Sequence, residues 1–215
     1  KYTMAQSVDP IIHAPKPALA VDVVLFTIRD SQLMVGLTKR EEEPYFGKHA
    51  LPGRFVRVDE PIETTAKMAL KLKGGIDPES VFFEQLYTFG QDLHRDTRIR
   101  TITCVYYGLV DSQKLDAQGK NKFFWYSVYD LPPLAFDHKT IIDYAISRLR
   151  KKVGESDFAF QLMPAEFTLT ELQKAYETIL GKPLDKRNFR KKIAELHILK
   201  DLKKTKMEGV HRPAR

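Results

Sequence analysis

Apolar residues run almost unbroken through 18–28, Ala-Leu-Ala-Val-Asp-Val-Val-Leu-Phe-Thr-Ile, a pattern that predicts a strand. Arg29-Asp30-Ser31 reads as a turn and residues 33–40 as the hairpin partner. Further strands are predicted at 81–89, 98–110 and 123–127. Between them, residues 60–73 read as a helix with Asp59 as N-cap, Pro61 in the first turn and Gly74-Gly75 at the end. The period changes to 3.6 in 138–152, where Ile141, Ile142, Ala145, Ile146 and Leu149 fall on one face and Arg148, Arg150, Lys151 and Lys152 suit a helix C-terminus.

Gly154-Glu155-Ser156-Asp157 is short and polar, and marks a hinge. Beyond it, residues 158–162 read as a strand, and Thr168-Leu169-Thr170-Glu171 has the spacing of a capping box. The helix this opens carries Leu172, Ala175, Tyr176, Ile179 and Leu180 and stops at Gly181. Asp185 caps a second helix, 186–196, with Phe189, Ile193 and Leu196 on one arc and Lys186, Arg187, Arg190 and Lys191 on another. Residues 198–202 and 210–215 flank the basic run 203–209, which reads as a hairpin. The expected layout is an N-terminal extension over 1–17, a mixed-sheet α/β domain over 18–153, a hinge at 154–157 and a small helical domain over 158–215.

Charge sharpens the second half. The net charge of +7 is concentrated at the end: the last 34 residues hold +8 and the preceding 181 hold −1. A nearly neutral body with a basic end points to a polyanionic partner bound at that end. Two helices and a basic hairpin have the order of a winged helix-turn-helix, whose second helix enters the major groove. Arg187, Asn188 and Arg190 are side chains able to read base edges, with Lys186 beside them. Lys191, Lys192, Lys203, Lys204, Lys206 and Arg212 suit phosphate contacts. A solvated helix face on a protein-interaction domain is the competing reading. The lone Cys104, in an apolar segment, fits a small core residue in a reducing cytosol. No apolar run approaches transmembrane length and no signal-like segment opens the chain, so a soluble cytoplasmic protein with no membrane partner is expected.

The stretch 51–60, Leu-Pro-Gly-Arg-Phe-Val-Arg-Val-Asp-Glu, running on to Lys73-Gly74-Gly75-Ile76, resembles the Nudix box with its chemistry removed. Glu60, Leu70, Gly75 and Ile76 fall in register, but Arg54 stands for the opening glycine, and Met68, Ala69, Leu72 and Lys73 stand for Arg and three Glu. In that family the carboxylates hold divalent metal ions that neutralise a pyrophosphate and help generate the attacking hydroxide. Ala and Leu cannot ligate, and Lys73 brings a cation instead. The expectation is no metal site, no catalytic residue and no Nudix-type hydrolysis. An enzyme using Glu41-Glu42-Glu43 is the alternative, weakened because those residues sit on a loop without helical register; a sensor that regulates another protein is a third reading.

Segments 21–26, 50–53, 84–90, 134–138, 162–169, 181–192 and 212–215 together resemble the NrtR-type Nudix-related transcriptional regulators over essentially the whole length. The resemblance implies a Nudix-like domain followed by a winged helix-turn-helix. It further implies a homodimeric repressor of NAD-metabolism genes that binds double-stranded operator DNA, needs no cofactor and responds to ADP-ribose. A pocket without metal must still meet a pyrophosphate, and Arg40, Arg54, Arg57 and Lys73 are the candidate cations, Phe46 a candidate adenine platform, and Phe136 and His138 candidate lining residues.

Overall fold

The computed structural model describes residues 14–119, 122–155, 158–200 and 202. Most of the N-terminal extension and the predicted basic hairpin, with Lys203, Lys204, Lys206 and Arg212, lie outside them.

Strand β1, Ala18–Arg29, is the spine of the fold. Val21 and Val23 to Phe26 are all completely buried, and each such side chain contributes about 1.5–3 kcal/mol through burial. Asp30 and Ser31 both take positive φ, and this tight turn leads into β2, Gln32–Lys39, antiparallel to β1. Two short strands follow, β3 (His49–Ala50) on β2 and β4 (Gly53–Phe55) on β1. Strand β5 is Phe82–Phe89 and β6 is Thr101–Leu109; β6 runs parallel to β1 and antiparallel to β5. Strand β7, Phe124–Ser127, completes the mixed sheet beside β2.

Successive residues of β1 serve opposite layers. Val21, Val23 and Leu25 pack on one side with Ala66, Ala69, Leu70 and Ile76 from helix α1 (Ile62–Ala69) and its continuation, and with Leu115 of helix α2 (Ser112–Ala117). Val24 and Phe26 face the other way, toward helix α3 (His138–Glu155), whose Ile141, Ile142, Ala145, Ile146 and Leu149 are all buried as their spacing predicts. Cys104 is buried in β6, and burial pushes its thiol pKa up, in keeping with a packing role.

Four local expectations change. Asp59 does not cap α1: its carboxylate pairs with Arg57, and Pro61 occupies the N-cap position with no side-chain hydrogen bond. The helix is α-helical only to Ala69; Leu70–Gly74 widens into a π turn closed by left-handed Gly75. The 158–162 segment is a 3-10 turn rather than a strand, because burying Phe158, Ala159 and Leu162 on one side requires helical spacing. Of the expected hinge, Gly154 and Glu155 continue α3, and 156–157 lie outside the described residues.

Helix α4, Leu169–Leu180, has the reciprocal capping box: Glu171 N–H donates to Thr168 Oγ1 at 3.1 Å and Thr168 N–H to Glu171 Oε2 at 2.7 Å. Gly181 ends it with φ 69°. Helix α5, Lys186–Glu195, is capped by Asp185, which accepts from Asn188 N–H at 2.8 Å. One apolar cluster continues from Val24 through α3 to Leu172, Tyr176, Phe189 and Ile193. The two halves therefore share a core.

Candidate functional site: a cationic pocket and a basic helix

A cavity of about 520 Å³ opens where β1, β4 and the end of α1 meet the 92–101 loop and the start of α3. Its floor is a polar latch. Buried Asp22 of β1 accepts from Thr103 Oγ1 at 2.8 Å and Arg95 at 3.4 Å; Arg95 in turn grips Asp137 through two bonds of 2.7 and 3.0 Å. Burial opposes the Arg95 charge, but these carboxylates hold its pKa above the ordinary value. His138, the first residue of α3, accepts the Leu51 N–H at Nδ1, 2.9 Å, and places Nε2 3.6 Å from Asp22. Full burial lowers its pKa against the attraction of Asp22 and Asp137, so the ring is neutral with its proton on Nε2. Gly53 is obligatory here: a Cβ would lie 2.2 Å from Asp22 Oδ1.

Cations line the rim. Arg40, whose Nε donates to the Pro44 carbonyl at 2.6 Å, lays its guanidinium 4.8 Å from the Phe136 ring centroid. Arg98, held by Asp96 through 2.8 and 3.0 Å bonds, sits 5.6 Å from the centroids of both Phe136 and Phe55. Phe136 itself has φ 53° and packs in a T-shaped pair with Tyr45, centroids 4.9 Å apart. Lys73 projects from the π turn into the same space. It remains solvent-accessible, yet the concave wall desolvates its ammonium and, with Arg40 nearby, lowers its pKa. Neither Arg40 nor Lys73 forms an ion pair among the described residues. Lys39 and Lys122 add to the cationic lining.

The structure therefore brings together Arg40, Arg54, Lys73, Phe136 and His138 of the residues expected from the sequence. Arg54 is partly spoken for, 3.3 Å from Glu60, whose other oxygen accepts from Thr65 Oγ1. His138 has Nδ1 engaged by the Leu51 N–H and Nε2 turned to Asp22 at 3.6 Å, which makes it a positioning residue. Phe136 faces two guanidiniums, so it orients cations rather than offering a bare face to a base. Two candidates fall outside the lining: Phe46 is 66% exposed on the 40–48 loop, and Arg57 is an exposed partner of Asp59. Arg95 and Arg98 were missed because the 92–100 stretch has no periodicity and only tertiary contacts bring its charges to the cavity, and Asp22 and Phe55 because they are single residues within β1 and β4 with no local signal of the site. Among the described residues no group of three His, Cys, Asp or Glu is placed to hold a metal ion, and the positions of the Nudix carboxylates hold Ala69, Leu72 and Lys73.

At the other end, α5 buries Phe189 and Ile193 and exposes Lys186, Arg187, Asn188, Arg190 and Lys191. Lys192 is also exposed, but its Nζ donates to the Gly154 carbonyl of α3 at 2.6 Å and is anchored there rather than free.

The family model for the NrtR DNA-binding winged helix domain matches residues 159–215. The ADPR-responsive transcriptional repressor NtrR of Acinetobacter baylyi is 34% identical over 206 residues, 93% of this chain and 81% of that protein. An ADP-ribose pyrophosphatase of Methanocaldococcus jannaschii is 33% identical over 130 residues, covering 60% of this chain and 73% of the enzyme. Shewanella oneidensis NrtR, solved in complex with a 27mer DNA, superimposes with a TM-score of 0.80 at 35% identity, over 90% of each chain. The Nudix domain of the same protein, solved with ADP-ribose, aligns at 33% identity with a TM-score of 0.56, over 68% of this chain and 99% of that one. Sequence identity along nearly the whole chain, with the same order of sheet domain and winged helix, establishes that this chain belongs to the NrtR family of Nudix-related transcriptional regulators.

Proposed function

We propose that the protein is an ADP-ribose-responsive transcriptional repressor of NAD-metabolism genes, acting as a cytoplasmic homodimer that releases operator DNA when the effector binds. The observation carrying this reading is a Nudix-like cavity that keeps its anion-binding character while Ala69, Leu72 and Lys73 occupy the places of the metal-binding carboxylates. Such a cavity suits holding a nucleoside diphosphate and lacks the means to activate water on it. Arg40, Lys73 and Arg98 would meet the pyrophosphate, with Arg54 at the margin. Arg187, Asn188 and Arg190 would read base edges, with Lys186 and Lys191 on the adjoining backbone. Lys203, Lys204, Lys206 and Arg212 are assigned to phosphate contacts from the sequence alone. In a dimer the two α5 helices would reach half-sites one DNA turn, roughly 34–36 Å, or a multiple of it apart.

The test is a mobility shift with DNA from upstream of NAD-biosynthesis genes, with and without ADP-ribose. A shifted band that ADP-ribose removes is the expected result; no shift on any such fragment overturns the reading. Product analysis after incubation with ADP-ribose and Mg²⁺ or Mn²⁺ completes it. Metal-dependent release of AMP would make the protein an enzyme.

A further inference from the structure

Resting on the effector reading above, we propose that the pocket binds the pyrophosphate of its ligand without a divalent metal, Lys73 and Arg40 supplying the two positive charges and Phe136 holding Arg40 in place. A pyrophosphate bridging two nucleoside-type groups carries two negative charges near neutral pH. Metal-dependent sites bring a dication held by carboxylates; here the position of the last box carboxylate is a lysine whose ammonium already faces the cavity.

Two further features fit a fixed clamp. Guanidiniums close together repel, yet Arg40 and Arg98 are both held against Phe136, at 4.8 and 5.6 Å from its centroid, and Phe55 stands 5.6 Å from Arg98. Arg98 is compensated by Asp96, whereas the Arg40 guanidinium donates to the carbonyls of Glu42 and Pro44 and, among the described residues, makes no ion pair, although the carboxylates of Asp96, Glu42 and Glu43 act on it from farther away. The π turn supplies the other jaw. Its wider turn lets Lys73 project beside Leu72 into the cavity, while Gly74 backs onto Phe123, where a Cβ would lie 2.2 Å from the ring. Carboxylates at the rim do not offer a metal an alternative. Asp22 and Asp96 are taken by Arg95 and Arg98, and Glu41 and Glu42 lie on the exposed loop.

Calorimetry of ADP-ribose binding to the full chain, in excess EDTA and in Mg²⁺, tests the proposal. The expected affinities agree within about twofold. Lys73→Met should weaken binding tenfold or more in both buffers, and Lys73→Arg should stay within a few-fold of the parent, since a charge-assisted contact is lost in one and kept in the other. Lys73 is accessible, so circular dichroism of the variants will match the parent. Binding that requires Mg²⁺, or Lys73→Met binding as tightly as the parent, overturns the metal-free clamp and leaves the effector reading standing. Absence of binding in both buffers overturns the two together.

Discussion

At the residue scale, His138 shows how one side chain fixes a loop, a strand and a helix together. Its neutral ring accepts from the backbone of the Leu51-Pro52-Gly53 turn and points its Nε2–H at Asp22, so the pocket floor depends on its being uncharged. A base whose folded pKa lies below its unfolded value, here near 6.5, contributes stability that is fully present above that value and lost as pH falls toward the folded one. Acidification from pH 7 to 5 should therefore lower the urea midpoint. His138→Gln, able to accept and donate at the same two places without titrating, should flatten that slope; an unchanged slope would assign the acid sensitivity elsewhere. Lys73 titrates at the opposite end. Burial and Arg40 lower its pKa, so effector affinity should decline as pH rises through a range below that of an ordinary lysine, and Lys73→Arg should remove the decline in an affinity-against-pH series. The loss of box carboxylates was plain in the sequence because it needs only identity and spacing. The Asp22–Arg95–Asp137 latch was not, since its members lie 73 and 42 residues apart and nothing local links them.

Elements whose ends carry their own chemistry were the most legible. Thr168 and Glu171, three apart, specify a reciprocal cap that needs no tertiary contact, and Gly181 supplies the left-handed stop. The sequence was less informative where packing overrode local preference. Residues 158–162 have strand-like composition, but Phe158 meets the rings of Phe82 and Tyr107 at 5.1 and 5.5 Å, and a helical turn is what brings Leu162 to the same side. Likewise Asp59 has capping chemistry, yet Pro61 begins the helix and Arg57 claims the carboxylate. For α5 the Asp185 bond to Asn188 N–H fixes the first turn, from which Arg187 and Asn188, the side chains proposed to read bases, project. Asp185→Ala should cost about 1 kcal/mol of stability by thermal or urea unfolding. Arg187→Ala or Arg190→Ala should cost roughly 1–3 kcal/mol on operator and little on unrelated DNA. Equal losses on both DNAs would demote these arginines to backbone contacts.

On the scale of the whole molecule, helix α3 touches both the pocket and the basic helix. Helix α3 has 18 residues, about 27 Å at 1.5 Å per residue. Its first turn is pinned in the pocket by His138 and by the Arg95 grip on neighbouring Asp137; its last turn presents the Gly154 carbonyl to Lys192 of α5. Nearer its C-terminal end, half-buried Arg150 donates to the Ile179 carbonyl of α4 at 3.0 Å and to Tyr129 Oη at 2.8 Å. Continuous core packing from Val24 to Ile193 makes this a stiff connection, so a shift of α3 at the pocket would carry the proposed DNA-reading surface with it rather than bend a linker. If effector and operator favour different placements of α3, each must weaken the other by the same factor, a coupling typically about 1–3 kcal/mol. Calorimetry of ADP-ribose with free and operator-bound protein should show that loss of affinity, matched by the loss of operator affinity at saturating ADP-ribose. Arg150→Met lies outside both sites and removes a strut between α3 and α4. It should shrink the coupling while leaving operator affinity in the absence of effector, and ADP-ribose affinity in the absence of DNA, within a few-fold of the parent. Full coupling in that variant would exclude the α3–α4 strut as the route, and identical ADP-ribose affinities for free and bound parent protein would exclude an antagonistic switch altogether.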